Sequence, residues 1–177
     1  MWIAGARRYK VIPAMPHKYL LKEFEDFARS AVAPDAMMQL VSKRIHLHIP
    51  RYNWVGFYLL DKMDSSMLVL GPHTGSFAPA AKISWNQGLC GSAAATRRVT
   101  VADNVAEDPR YIQASDLVKS QISAPIMAGG RIAAIFNVES YFLATFKPAV
   151  ERQFVEACAG VVGKCFARTM APDLAHV

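Results

Sequence analysis

The sequence predicts an α+β fold, an antiparallel sheet with helices from both ends of the chain on one face and loops and short helices over the other. Three observations carry this expectation. Stretches with apolar residues at helical spacing stand near both ends. The segments between them alternate with period two and are joined by short polar or glycine turns. No strand–helix–strand alternation of the parallel kind occurs, so the sheet should be built from hairpins.

Along the chain, residues 1–16 read as an irregular arm, with Pro13 and Pro16 and no sustained period. Residues 17–32 carry Leu20, Leu21, Phe24 and Phe27 on one helical stripe. Pro34 and Asp35 open a second helix, with Met38, Val41, Ile45 and His48 on its stripe and Pro50 as its stop. From Asn53 the period becomes two: residues 53–60 and 67–70 flank the polar turn 61–66 as a hairpin. Residues 82–85 read as a strand, 88–96 as a helix of small residues able to approach a sheet closely, and 99–102 as a strand. Residues 104–119 are polar, contain Asp108 and Pro109, and read as a lid with a helical turn. Residues 121–127 and 131–139 meet at Gly129 and Gly130, which supply the positive φ a tight hairpin needs. Pro148 starts a last helix through about Thr169, with Val150, Phe154, Cys158, Val161 and Cys165 near one face. Residues 17–170 then form one domain and 171–177 a tail. The two long connections, 71–81 and 104–119, should cover the second face of the sheet and leave a ligand-sized gap beneath them.

Composition narrows the function classes. Of the 177 residues 53% are hydrophobic and 19% charged, against roughly 45–50% and about 25% in typical domains, which excludes disordered and coiled-coil classes. The formal charge is +6. The basic residues come as scattered pairs (Arg7 with Arg8, Lys43 with Arg44, Arg97 with Arg98), so no nucleic-acid partner is expected. The most apolar stretch, 154–166, is interrupted by Glu156 and Lys164 and falls short of the roughly 20 residues a membrane span needs. No membrane partner is expected. Three cysteines are too few for a secreted disulfide scaffold, and Pro13, Pro16, His17 and Lys18 interrupt what would be the apolar region of an export signal. A cytoplasmic location is the expectation. Cys158 and Cys165 lie two helical turns apart, about 10 Å, beyond bridging reach. His46 and His48 diverge on their helix and His73 has no cysteine neighbour, so neither a metal nor a cofactor is expected.

The blocks Val101-Ala-Asp-Asn-Val-Ala-Glu-Asp-Pro-Arg-Tyr111, Ser123-Ala-Pro-Ile126 and Ile135-Phe-Asn-Val-Glu-Ser140 resemble those of GAF domains. The likeness runs over roughly residues 34–166 and implies a profilin-like, six-stranded antiparallel sheet around a small-molecule site. Asn53-Trp-Val-Gly-Phe-Tyr-Leu-Leu60 and Gly88-Leu-Cys-Gly91 are most similar to the free methionine-(R)-sulfoxide reductases within that superfamily. Such reductases need a thiol that attacks sulfur and a second that resolves the sulfenic acid. The resemblance puts the attacking cysteine in the loop where this chain has Ala114 and Ser115, and the resolving one ten residues before Cys90, at Ala80. It also implies three pocket carboxylates at positions that here hold Gln121, Asn137 and Glu139; an amide can orient a ligand but cannot donate a general-acid proton. The marks of bilin carriers (a cysteine followed by histidine) and of cyclic-nucleotide binders are incomplete.

The resemblance with its missing thiols implies a binding or sensing module for a polar metabolite, such as an amino acid or its derivative, rather than an enzyme. Its site residues would be Trp54, Tyr58, Cys90, Gln121, Asn137 and Glu139, with backbone amides near Gly91 and Ser92 at a helix start. Two alternatives stand beside it: a reductase dependent on Cys90, and a dimerisation domain pairing through its terminal helices. Plainer roles are open for the same residues. Trp54 and Tyr58 would serve as core aromatics, Cys90 as a small packing residue and Glu139 as a cap or a partner of Arg131.

Overall fold

The computed structural model describes residues 16–30 and 32–170; the expected arm, apart from Pro16, and the expected tail lie outside the described residues. Its elements run α1 (Pro16–Ala28), α2 (Pro34–His48), β1 (Trp54–Leu60), β2 (Met67–Gly75), β3 (Lys82–Ser84), α3 (Gly88–Thr96), β4 (Thr100–Ala102), a 3₁₀ turn (Val105–Glu107), β5 (Ser120–Ala128), β6 (Arg131–Ser140) and α4 (Ala149–Met170). The strands form one six-stranded sheet in the order β3-β2-β1-β6-β5-β4, every neighbouring pair antiparallel. This is the α+β architecture the sequence predicts.

Period-two alternation divides the sheet's side chains between two layers. Val55, Phe57, Ile122, Ala124, Phe136 and Val138 face the three long helices, where they meet Leu20 and Phe24 of α1, Met38, Val41 and Ile45 of α2, and Phe154, Cys158 and Cys165 of α4. Phe57 and Phe136 stack across β1 and β6 with ring centroids 4.8 Å apart. The Tyr52 hydroxyl donates to Glu151 Oε2 at 2.6 Å, and His17 Nε2 lies 3.1 Å from the same oxygen, joining α1 and α4 to the entry of β1. Val150, expected on the buried stripe of α4, is 39% exposed because it sits in the first turn, ahead of the part that crosses the sheet.

The other layer is thinner. Trp54, Tyr58, Leu68, Ile132 and Ile135 face Cys90, Ala93 and Ala94 of α3. The small residues of α3 let it lie close on the strands, and Gly91 is where the approach is tightest. A Cβ built there would lie 2.7 Å from the carbonyl oxygens of both Ser84 and Trp85. Because those atoms are backbone, Gly91→Ala is expected to cost about 1–3 kcal/mol, read as a lower urea midpoint at unchanged m-value.

The connection expected over residues 71–81 is shorter than predicted, because β2 continues through Gly75. A register shift opposite Phe57 absorbs Gly71 and Pro72: Gly56 pairs with His73 but Tyr58 with Leu70. Proline is tolerated at such a bulge, where no ladder bond needs its missing N–H.

Candidate functional site

Strand register brings the predicted polar residues into two rows on the thin side of the sheet. Trp54 pairs with Glu139 and Glu139 with Gln121; Gly56 pairs with Asn137 and Asn137 with Ser123. Glycine at 56 leaves room for the Trp54 indole, whose Cη2 lies 2.5 Å from where a Cβ would stand. The side chains then form one buried chain of hydrogen bonds. Gln121 Nε2 donates to Asn137 Oδ1 at 2.8 Å and lies 3.2 Å from Ser123 Oγ, which itself donates to Asn137 Oδ1 at 2.8 Å. Asn137 Nδ2 donates to Glu139 Oε1 at 2.8 Å. Cys90 joins at the far end, its Sγ 3.5 Å from Ser123 Oγ and 3.8 Å from Gln121 Nε2.

Above these rows lies a cavity of about 170 Å³, bounded by α3, by β3 with the residues before it, and by the 104–119 loop. Its floor is Tyr58, Cys90, Gln121, Asn137 and Glu139, so five of the six predicted site residues line one space. The sixth, Trp54, is not among the lining residues. Its ring is fully buried beside the cavity, stacked on His73 and Phe77 at centroid distances of 5.7 and 6.1 Å. Ala80 and Ala114, the positions where the sequence resemblance locates the two missing thiols, both line the cavity. Gln87, Ile83, Leu89, Ile112 and Gln113 also line it and were not singled out by sequence. An isoleucine within the polar 104–119 loop was the one available signal among them.

The chemistry of the floor follows from burial. Glu139 is 4% exposed, and desolvation pushes its carboxyl up to about 7, only partly opposed by the Asn137 amide. Among the described residues, its buried Oε2 has no hydrogen-bond partner. Arg131, a partner considered from sequence, pairs with Ala128 at the hairpin end of β6, while Glu139 is eight residues along the same strand, about 27 Å away at the usual rise. Trp54 Nε1 is likewise buried and unpartnered, on the residue directly across from Glu139. Tyr58 donates its hydroxyl to the Ala80 carbonyl at 3.0 Å, and burial raises its pKa.

Cys90 is no exposed, activated thiol: burial pushes it up to about 12, and the Ser123 hydroxyl offsets this only in part. The position of the donor amides also differs from expectation. The Gly91 N–H is taken by the Gln87 carbonyl at 3.0 Å, so the N–H groups left open at the start of α3 are those of its first turn, at Gly88, Leu89 and Cys90. These three residues line the cavity.

The sequence matches a GAF domain family model over residues 31–166. It is 31% identical to Protein ZMO0507 of Zymomonas mobilis over 141 residues, 79% of this chain and 83% of that protein. It is 29% identical to the free methionine-R-sulfoxide reductase of Saccharomyces cerevisiae over 113 residues, 63% of this chain and 62% of the yeast enzyme. The fold superposes on free methionine-R-sulfoxide reductase from Neisseria meningitidis, solved in complex with its substrate, with a TM-score of 0.81 at 24% identity, covering 97% of this chain and 98% of that one. The substrate complex of fRMsr from Staphylococcus aureus gives a TM-score of 0.78 at 25% identity over 89% of this chain and all of that one.

Proposed function

The chain belongs to the GAF domain family, and from that premise we propose that it is a binding module that holds a small polar metabolite, an amino acid or a derivative of one, without turning it over. The observation that carries this reading is the unpartnered Oε2 of Glu139, a buried carboxyl oxygen on a residue that lines the cavity. A buried polar atom without a partner costs free energy that a ligand group would recover. The space suits a small molecule, since a cavity of roughly 150 Å³ holds benzene. First-turn amides of α3 would receive an acceptor such as a carboxylate at the opposite wall.

The absence of turnover rests on the thiols. A thiolate is the nucleophile in sulfur chemistry, and burial raises the Cys90 thiol well above its ordinary value, so at neutral pH it keeps its proton. Ala80 and Ala114 provide no second sulfur at the cavity wall. One observation favours the second reading, a Cys90-dependent reductase: the Cys90 thiol shares the cavity with a carboxyl that holds its proton near neutral pH.

The test uses free methionine-R-sulfoxide, the compound in the names of the yeast and Neisseria relatives, together with a panel of amino acids. A ligand at 100 times its Kd is expected to stabilise the protein by about 2.7 kcal/mol, read by thermal unfolding. With dithiothreitol present, the amount of sulfoxide should stay constant. Consumption of the sulfoxide that is abolished by Cys90→Ser would overturn the binding reading in favour of the reductase. No stabilisation by any member of the panel would point instead to the dimerisation domain.

A further inference from the structure

The hydrogen bonds on the cavity floor run in one direction. Glu139 Oε1 accepts from Asn137 Nδ2 at 2.8 Å. A carboxylate oxygen can only accept, and the Asn137 amide turned over would set its own oxygen against it. Asn137 Oδ1 therefore faces the other way, where it accepts from Gln121 Nε2 and from Ser123 Oγ, both at 2.8 Å. Gln121 Nε2 divides its two N–H groups between Asn137 Oδ1 and, at 3.2 Å, Ser123 Oγ.

Two acceptors are left for a ligand. With both N–H groups used inside the row, Gln121 has only Oε1 to offer, and Glu139 has Oε2, which lacks a hydrogen-bond partner among the described residues. Gln121 and Glu139 are direct partners across β5 and β6, a placement that sets Cβ atoms about 4.5–5.5 Å apart, and both line the cavity. Other groups of the wall are engaged elsewhere. Tyr58 donates its hydroxyl to the Ala80 carbonyl at 3.0 Å. Lys82, the one basic residue among the described residues of the lining, has its Nζ 2.8 Å from Asp61 Oδ2. The second N–H of Asn137 is the strong side-chain donor that the floor retains.

A buried carboxyl beside a bare carbonyl oxygen, with no cation of its own, is satisfied by a positively charged donor. Among nitrogen cations the planar ones suit it best. Their parallel N–H groups meet two acceptors side by side, and a guanidinium is more weakly hydrated than an ammonium, so it loses less on entering a buried site. We propose that the floor of the cavity takes the amidinium or guanidinium end of the ligand, shared between Glu139 Oε2 and Gln121 Oε1. The inference rests on the reading of the cavity as a ligand site and narrows the metabolite to one with such a head group.

The test compares four small probes on the full, ¹⁵N-labelled chain: acetamidinium, acetamide, methylammonium and acetate. NMR follows the side-chain amide resonances of Gln121 and Asn137 at a pH above the value of about 7 at which the Glu139 carboxyl sits. Acetamidinium is expected to shift both resonances and to bind at least about tenfold more tightly than acetamide, which keeps the shape without the charge. It should also bind more tightly than methylammonium, which keeps the charge without the planar pair of N–H groups. Acetate should leave the resonances where they are. Glu139→Gln should bring acetamidinium down to the level of acetamide, and the comparison among probes on the unaltered chain holds even where that variant fails to fold. Binding of acetate or acetamide as tight as that of acetamidinium, or equal binding by methylammonium, would overturn the proposal and leave the cavity a ligand site. Silence of both resonances with all four probes would overturn it too, and the amino-acid panel then decides separately whether the cavity binds a metabolite at all.

Discussion

Without ligand, the protein is expected to lose about 3 kcal/mol of stability as pH rises from 4.5 to 7, and Glu139→Gln should abolish that loss. The Glu139 carboxyl sits at about 7 in the folded chain against 4.5 in its ordinary state. A raised acid binds its proton more tightly when folded, so between those values the folded state holds a proton that the unfolded chain has released. Stability then falls with rising pH, by about 1.4 kcal/mol for each pH unit of difference. Urea unfolding of both proteins across this range measures the effect, and subtracting the variant removes what other groups contribute. Parallel curves for the two proteins would show that Glu139 already has a partner in solution. The same titration reads the ligand's chemistry. A ligand that donates a proton or carries a positive charge to Oε2 binds more tightly above pH 7, and one that accepts from the protonated carboxyl binds more tightly below it.

How far the sequence shows this arrangement depends on the range over which each residue acts. The hairpin at Gly129 and Gly130 was legible because the constraint is local: both residues adopt positive φ, 55° and 76°, as a two-residue turn demands. The limits of α3 were legible from its run of small residues, and the shared face of Asn137 and Glu139 from strand periodicity alone. Pro125 did not mislead, since β5 runs past the end of short β4 there and the missing N–H has no partner to lose. From sequence alone residues 71–75 belong to a connection, since Gly71, Pro72 and Gly75 are strand breakers in isolation. What makes them strand is a bulge and the ring of Trp54, neither of which is written in their own neighbourhood.

The site divides in the same way. Strand alternation and family resemblance together named five lining residues, but whether Glu139 finds a partner depends on pairing across three strands. Its position in β6 was sufficient to exclude Arg131, since two residues eight apart on one strand cannot meet. The elevated thiol of Cys90 was not legible: a helix start argues for a lowered pKa, and the opposing burial comes from Tyr58, Gln121 and Ser123 closing over it from other elements. Desolvation outweighs the helix terminus here.

Trp54→Ala is expected to destabilise the fold by about 3–5 kcal/mol, toward the upper end, because its surroundings are poorly able to collapse into the space. The indole lies in a slot between Gly56 and Gly75: a Cβ on Gly56 would come within 2.5 Å of Trp54 Cη2, and a Cβ on Gly75 would strike the ring at Cδ1 and Cγ. Beside the His73 and Phe77 rings, strand backbone at Gly56 and Gly75 forms part of the slot, and backbone held in ladders does not move inward as side chains do. A double-mutant cycle separates this account from ordinary loss of apolar area. Gly75→Ala alone should cost about 1–3 kcal/mol by overpacking, since the three nearest atoms to its new Cβ all belong to Trp54. In the Trp54→Ala background that clash is gone and the methyl group partly fills the hollow, so the second substitution should be nearly neutral. A coupling of about 1 kcal/mol or more is therefore expected from urea midpoints. Additive costs would mean that the slot relaxes around whatever occupies it, and that Trp54 contributes buried area rather than shape.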